Sequence, residues 1–138
     1  MKQRNILVVE DTELDKYIIE FNLKMLGITN TIIFKTTATD TLVYLSEIDP
    51  ENYPVLIFLD LNLPEMNGFE FLEIFNGFQQ NQKEKTKIVV LSSSKNQDEI
   101  DKAEKFSSVL KFVSKPIDLK KLGIVFELQN QKRIIDLK

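Results

Sequence analysis

Short, unbroken apolar runs alternate with helically spaced segments along the whole of this 138-residue chain, and few folds accept that pattern. Ile6, Leu7, Val8 and Val9 form the first run, which suits a parallel strand covered on both faces. Leu14, Tyr17, Ile18, Phe21, Leu23, Met25 and Leu26 follow at spacings near three and four, so a helix is expected there. Gly27 suits a left-handed cap to close it. Residues 31–35 read as a second strand and residues 38–48 as a second helix. Pro54 then introduces Val55, Leu56, Ile57, Phe58 and Leu59, the most apolar stretch and the expected central strand, which Asp60 ends. Asn67 and Gly68 precede a third helix bearing Phe69, Phe71, Leu72, Ile74, Phe75 and Phe78, whose rings are expected in the core. Residues 79–87 read as a polar loop, 88–91 as a fourth strand, 96–106 as a fourth helix and 109–113 as a fifth strand. A last helix begins near Asp118. Residues 129–138 either continue it or fray, and Ile134, Ile135 and Leu137 there could pack on the domain or on a second copy, giving a monomer or a weak dimer.

Five strands alternating with five helices through short connections specify an α/β protein, a parallel sheet wound on both sides by helices. Right-handed crossovers reduce the plausible topologies to a few. The length suits one domain over residues 1–138, and no repeat or Pro/Gly/Ser-rich linker marks a second, output domain. A formal charge of −3 gives no reason to expect nucleic acid or an anionic membrane as the main partner. The apolar runs are too brief for a signal peptide or a membrane span, so a cytoplasmic location is expected. The chain has no cysteine and no histidine, which removes disulfides, thiolate and imidazole metal ligands, and histidine bases together. Chemistry here must rest on carboxylates, hydroxyls, lysine and backbone groups.

What ends each strand is the informative part. In an open parallel sheet the carboxyl ends of the strands share one edge, where ligands bind near the topological switch point. The flavodoxin-like order 2-1-3-4-5 makes strands one and three neighbours, which brings Asp60 beside Glu10 and Asp11. The fourth strand ends in Ser92, Ser93 and Ser94, and the fifth in Ser114, Lys115 and Pro116. Three carboxylates in one crevice repel and lose solvation, so one of them should have a raised pKa or the group should attract a cation. With oxygen donors alone available, a hard ion such as Mg²⁺, or Mn²⁺, fits better than zinc or copper.

These residues resemble the response-regulator receiver domains, and the resemblance runs over essentially the whole chain. Glu10-Asp11 matches the acidic pair after the first strand. Asp60, Pro64 and Gly68 match the Asp-x-x-x-Pro-x-x-x-Gly pattern of the phosphoacceptor loop. Ser92 matches the hydroxyl position ending the fourth strand, and Lys115-Pro116 the Lys-Pro after the fifth. Together, in order and on the right strand ends, they form a specific signal.

The resemblance implies a stand-alone response regulator of a two-component or phosphorelay system that is not itself an enzyme, beyond assisting its own phosphorylation and dephosphorylation. Asp60 would accept a phosphoryl group from a histidine kinase or a histidine phosphotransfer protein. Glu10, Asp11, Asp60 and the Asn62 backbone carbonyl would hold Mg²⁺, while Lys115 and Ser92 contact phosphoryl oxygens. The Lys115-Pro116 bond would be cis. Ser92 and Phe112 would form a switch coupling the site to a face made by the fourth helix, fifth strand and fifth helix, where a downstream protein docks. Ser92 stands where threonine is commoner and Phe112 where tyrosine is, and Phe112 reads equally as plain core.

Rival functions have specific signatures. A haloacid-dehalogenase-like phosphatase also uses an aspartyl nucleophile with Mg²⁺, but places an acid two residues later, where this chain has Asn62. A flavodoxin-like FMN module needs a phosphate cradle after the first strand, and Glu10 and Asp11 would repel that phosphate. A degenerate receiver loses the acidic pair, the acceptor or the lysine, and all three are present.

Overall fold

The computed structural model describes the backbone of residues 3–136 and the side chains of residues 3–130. Its strands are β1 (Ile6–Val9), β2 (Ile32–Lys35), β3 (Leu56–Asp60), β4 (Lys87–Ser92) and β5 (Val109–Ser114). Its helices are α1 (Glu13–Met25), α2 (Ala38–Glu47), α3 (Gly68–Asn76), α4 (Gln80–Lys83), α5 (Gln97–Glu104) and α6 (Leu119–Asp136). The sheet is parallel with order β2-β1-β3-β4-β5, as expected.

Alternation along the strands divides the core between the two faces of the sheet. Leu7, Val9, Ile57, Leu59, Ile88 and Val90 pack with Leu45 of α2, Phe71, Leu72 and Phe75 of α3, and Ala103 of α5. Ile6, Val8, Leu56, Phe58, Val89 and Leu91 pack with Ile19 and Leu23 of α1 and Leu122 and Val125 of α6. Both faces are therefore covered, and every residue of β1 and β3 is buried. Each such large side chain contributes roughly 1.5–3 kcal/mol by leaving water. The edge strand β2 is only half-buried.

Local chemistry sets the helix ends. Thr12, Thr37, Asn67 and Asn96 cap α1, α2, α3 and α5, each side chain accepting a backbone N–H from the first turn. Such caps contribute about 1 kcal/mol each. Gly27 takes φ 78° after α1. The Ile28 N–H there reaches the Leu23 carbonyl and the Gly27 N–H that of Lys24, the paired bonds of a Schellman end.

The structure departs from expectation in two places. The segment expected as a polar loop contains α4, a single turn whose Gln79 and Gln82 cap one another; the helices expected as fourth and fifth are thus α5 and α6. Each glutamine side chain accepts the other's backbone N–H, a device that leaves no apolar period to read. In α1, Leu14, Tyr17, Phe21 and Met25 are exposed, while Ile19 and Leu23 face the sheet. The helix carries two apolar stripes rather than one. The last helix continues through residue 136, whereas the packing of Ile134, Ile135 and Leu137 lies outside the described residues. Among the described residues no helix is long and apolar enough to cross a membrane.

Candidate functional site

The register of β1 on β3, with Val9 opposite Leu59, delivers Glu10 and Asp60 side by side at the carboxyl edge of the sheet. Glu10 is held by its backbone N–H on the Lys35 carbonyl. Its side chain is completely buried. One carboxylate oxygen, Oε1, accepts the N–H groups of Asp11 at 3.0 Å and Thr12 at 3.3 Å, where the chain turns into α1. Asp60 closes β3 and is 4% exposed. Its Oδ1 accepts the Asn62 N–H at 2.9 Å, which orients the carboxylate within the turn.

Among the described residues a single ammonium faces this pair. Lys115 Nζ lies 3.1 Å from Glu10 Oε2, 3.1 Å from Asp60 Oδ2 and 2.9 Å from Asp15 Oδ2. The loop carrying Lys115 is fixed from both sides. Its own backbone N–H donates to the Ser92 carbonyl at 2.8 Å. Lys121, from the first turn of α6, donates to the carbonyls of Ser114 at 2.9 Å and Pro116 at 2.8 Å. The Lys115-Pro116 peptide is cis, as expected. Ser92 ends β4 beside Asp60, buried, with its Oγ accepting the Ser94 N–H at 3.0 Å.

Three carboxylates against one ammonium leave the group short of positive charge. Burial, and then the charge of Asp60, push the Glu10 carboxyl up to about 7. Burial lowers the pKa of Lys115, but the hydrogen bond to Asp15, the charge of Asp60 and the hydrogen bonds to Asp60 and Glu10 outweigh it and raise it above the ordinary value. Asp15 loses solvation, yet its bonds to Lys115 and Thr12 hold its carboxyl below the usual range. The acids expected in this crevice are Glu10, Asp11 and Asp60; Asp15 stands there in place of Asp11, which is exposed, and Glu10 is the acid whose pKa is raised.

The site residues read from the sequence fall into two sets. Glu10, Asp60 and Lys115 meet, with Ser92 at the adjoining strand end. Asp11 and Asn62 are exposed, each giving its backbone N–H to a site carboxylate, Asp11 to Glu10 and Asn62 to Asp60. Phe112 is 7% exposed and packs within the core on the α5 side of the sheet.

Asp15 is the residue the sequence reading missed. As the third residue of α1, behind the Thr12 cap, it turns inward because the helix starts at the carboxyl edge. The Thr12-x-x-Asp15 spacing, an N-cap followed by an acid, was the available signal.

Glu10, Asp15 and Asp60 can each offer an oxygen within 4.8 Å of the others. An anionic, all-oxygen set with one carboxyl raised to about 7 suits a hard divalent cation. Next to it, a cleft of about 310 Å³ opens between α1 and the β5–α6 loop, lined by Asp15, Ile18, Ile19, Ser93, Lys115, Pro116 and Ile117.

Comparison with known proteins agrees with this geometry. Residues 6–126 match the model of the response regulator receiver domain. No curated protein matches the chain. A two-component response regulator from Cytophaga hutchinsonii superposes with a TM-score of 0.83 at 26% identity, over 94% of this chain and 99% of that one. The Mn²⁺-bound form of response regulator Rcp1 gives 0.71 at 29% identity, over 92% and 90% of the two chains. The phosphorylated cyanobacterial phytochrome response regulator RcpA gives 0.73 at 28% identity, over 92% and 91%. With fold, strand-end residues and family match in agreement, the chain belongs to the response regulator receiver domain family.

Proposed function

We propose that Asp60 is the phosphoacceptor, taking its phosphoryl group from the phosphohistidine of a histidine kinase or histidine phosphotransfer protein. The observation that carries this reading is the pairing of a buried strand-end carboxylate with an ammonium 3.1 Å from its Oδ2. In the transfer the P–N bond to the donor imidazole breaks and a bond from an Asp60 oxygen to phosphorus forms, the imidazole keeping the electron pair. The transition state is loose, so positioning and charge neutralisation matter more than nucleophilic strength. The Asn62 N–H holds one carboxylate oxygen, which leaves the other, facing Lys115, to attack. Lys115 and the Ser92 hydroxyl would then hold phosphoryl oxygens.

Glu10, Asp11, Asp60 and the Asn62 carbonyl would hold Mg²⁺, with Mn²⁺ an alternative. Such an ion, when bound, supplies charge neutralisation at a phosphoryl oxygen. Asp11, exposed at the rim, is free to turn toward it.

Signalling passes through protein contacts rather than through any enzymatic turnover of a second substrate. The stripe of Leu14, Tyr17, Phe21 and Met25 on α1 offers apolar area beside the site for the phosphodonor. For the downstream partner, the α5–β5–α6 face is favoured by a cleft of about 230 Å³ that includes Lys111, Phe112, Lys121 and Ile124. Drawing Ser92 toward the phosphoryl group would open space beside the core in which Phe112 repacks.

Acetyl phosphate, or beryllofluoride with Mg²⁺, tests the reading directly. Wild-type protein should gain one phosphoryl mass on the peptide containing Asp60, and Asp60→Asn should gain none while melting cooperatively. Equal labelling of the variant would end the assignment.

A further inference from the structure

We propose that Asp15 is a positioning residue for Lys115: it anchors the ammonium from α1 while the other two carboxylates change partners during phosphoryl transfer. The inference rests on Asp60 being the phosphoacceptor, as proposed above. A lysine ammonium has three N–H donors. All three are spoken for here, by Glu10, Asp15 and Asp60. Phosphorylation turns the Asp60 carboxylate into an acyl phosphate, so that contact must pass to a phosphoryl oxygen. Glu10, once committed to a cation, has less charge to offer the ammonium.

Asp15 can also offer an oxygen to a cation, but with Glu10, Asp11 and Asp60 holding the ion, as proposed above, its carboxylate is left to Lys115. It stands outside the acidic pair and the acceptor loop, its contact with Lys115 is the shortest of the three, and its backbone is fixed by the Thr12 cap at 3.3 Å. It also lines, with Lys115, the cleft bounded by Ile18, Ile19, Pro116 and Ile117. An anchor on α1 gives the ammonium a third hold, independent of the two strand-end acids. Without it the ammonium settles onto those two carboxylates and occupies space the phosphoryl group needs. Misplacement of a catalytic group by a fraction of an ångström to 1 Å is enough to slow a positioned reaction severalfold or more.

The test compares Asp15→Ala with Asp15→Asn, whose amide oxygen still accepts from Lys115. With acetyl phosphate at saturating Mg²⁺, Asp15→Ala should be phosphorylated about tenfold more slowly than wild type, and Asp15→Asn within about threefold of it. A second measurement uses metal-free protein and N-acetoxysuccinimide. Acetylation of Lys115, referenced to exposed Lys120, should rise severalfold in Asp15→Ala and stay near wild type in Asp15→Asn. Wild-type behaviour of Asp15→Ala in both assays overturns the proposal. So does a rate deficit that high Mg²⁺ erases, which would make Asp15 a metal ligand instead, and so does an equal loss in both variants. Failure of wild type itself to take up phosphate would refute the Asp60 reading, while the labelling arm would still report on the ion pair.

Discussion

Replacing Gly68 by alanine should deform the loop that carries Asp60, and the geometry fixes how. A Cβ at position 68 would lie 2.6 Å from Leu61 Cδ2, 2.8 Å from Leu61 Cα and 3.2 Å from the Asp60 carbonyl oxygen. The side-chain atom can swing away, but the Cα cannot. Leu61 is pinned by its N–H on the Leu91 carbonyl at 3.0 Å, and its own carbonyl accepts the Gly68 N–H at 2.9 Å. It is also buried in the core. Relief therefore requires either the loop or the start of α3 to move. Overpacking of this kind costs about 1–3 kcal/mol, and a stretched or broken Leu61–Gly68 hydrogen bond about 1 more. For a domain of this size one kcal/mol is worth roughly 3 °C, so the melting temperature should fall by about 6–12 °C. Thermal unfolding followed by circular dichroism reads the stability, and acetyl phosphate labelling of Asp60 should slow in parallel. A variant that melts within about 2 °C of wild type and labels at the same rate would show that the close approach is not a constraint.

Lys115→Met should leave Glu10, Asp15 and Asp60 facing one another without a counter-charge, costing about 1–3 kcal/mol in metal-free protein. Millimolar Mg²⁺ should restore part of that in urea titrations, and no restoration would argue against a shared cation site. Lys121→Met removes the bonds to the Ser114 and Pro116 carbonyls and should cost about 1 kcal/mol while slowing phosphorylation, since the loop aiming Lys115 loosens. An unchanged rate would make Lys121 a stabilising residue only. Glu10 gives a pH signature of definite sign. Its folded pKa of about 7 lies above the ordinary 4.5, so its contribution to stability is complete below about pH 4.5 and is lost as pH rises through 7. Metal-free Glu10→Gln should therefore gain on wild type between pH 5 and pH 8, by at most about 3 kcal/mol, and parallel pH curves would refute the shift.

The fold was legible because its signals are redundant. Five apolar runs with a helical segment between each pair agree on a parallel α/β sheet, and the flavodoxin-like order expected for it is the one observed. The single-turn helix at Gln80–Lys83 escaped because its stabilisation comes from two glutamines capping each other, which leaves no hydrophobic period. For the site, Glu10, Asp60, Ser92 and Lys115 were readable because strand ends in a parallel sheet share an edge. Asp15 was not, because it belongs to a helix: whether an acid in the first turn faces the crevice or solvent depends on how α1 is rotated. That rotation was itself hidden by the two apolar stripes, since Leu14, Tyr17, Phe21 and Met25 suggest one orientation, whereas Ile19 and Leu23 impose another.

The rotation of α1 matters to how such a site can respond. Glu10 and Asp60 are fixed by strand register, so neither can retreat from the other by a backbone shift without breaking the sheet. Ser92 is likewise set by β4. Lys115 is different: it rides a loop outside the sheet, and among the described residues its ammonium is the one positive group in contact with all three acids. Any group that arrives at Asp60 must displace at least one of those contacts, because Nζ has no donor left to give. If Asp60 takes the phosphoryl group as proposed, the first consequence would be a redistribution of the partners of Lys115 rather than a movement of the acceptor. The loop that must absorb it is stitched to the Ser92 carbonyl on one side and to Lys121 of α6 on the other. An adjustment of that ammonium would thereby reach the end of β4 and the start of α6, next to and within the face proposed for the downstream partner.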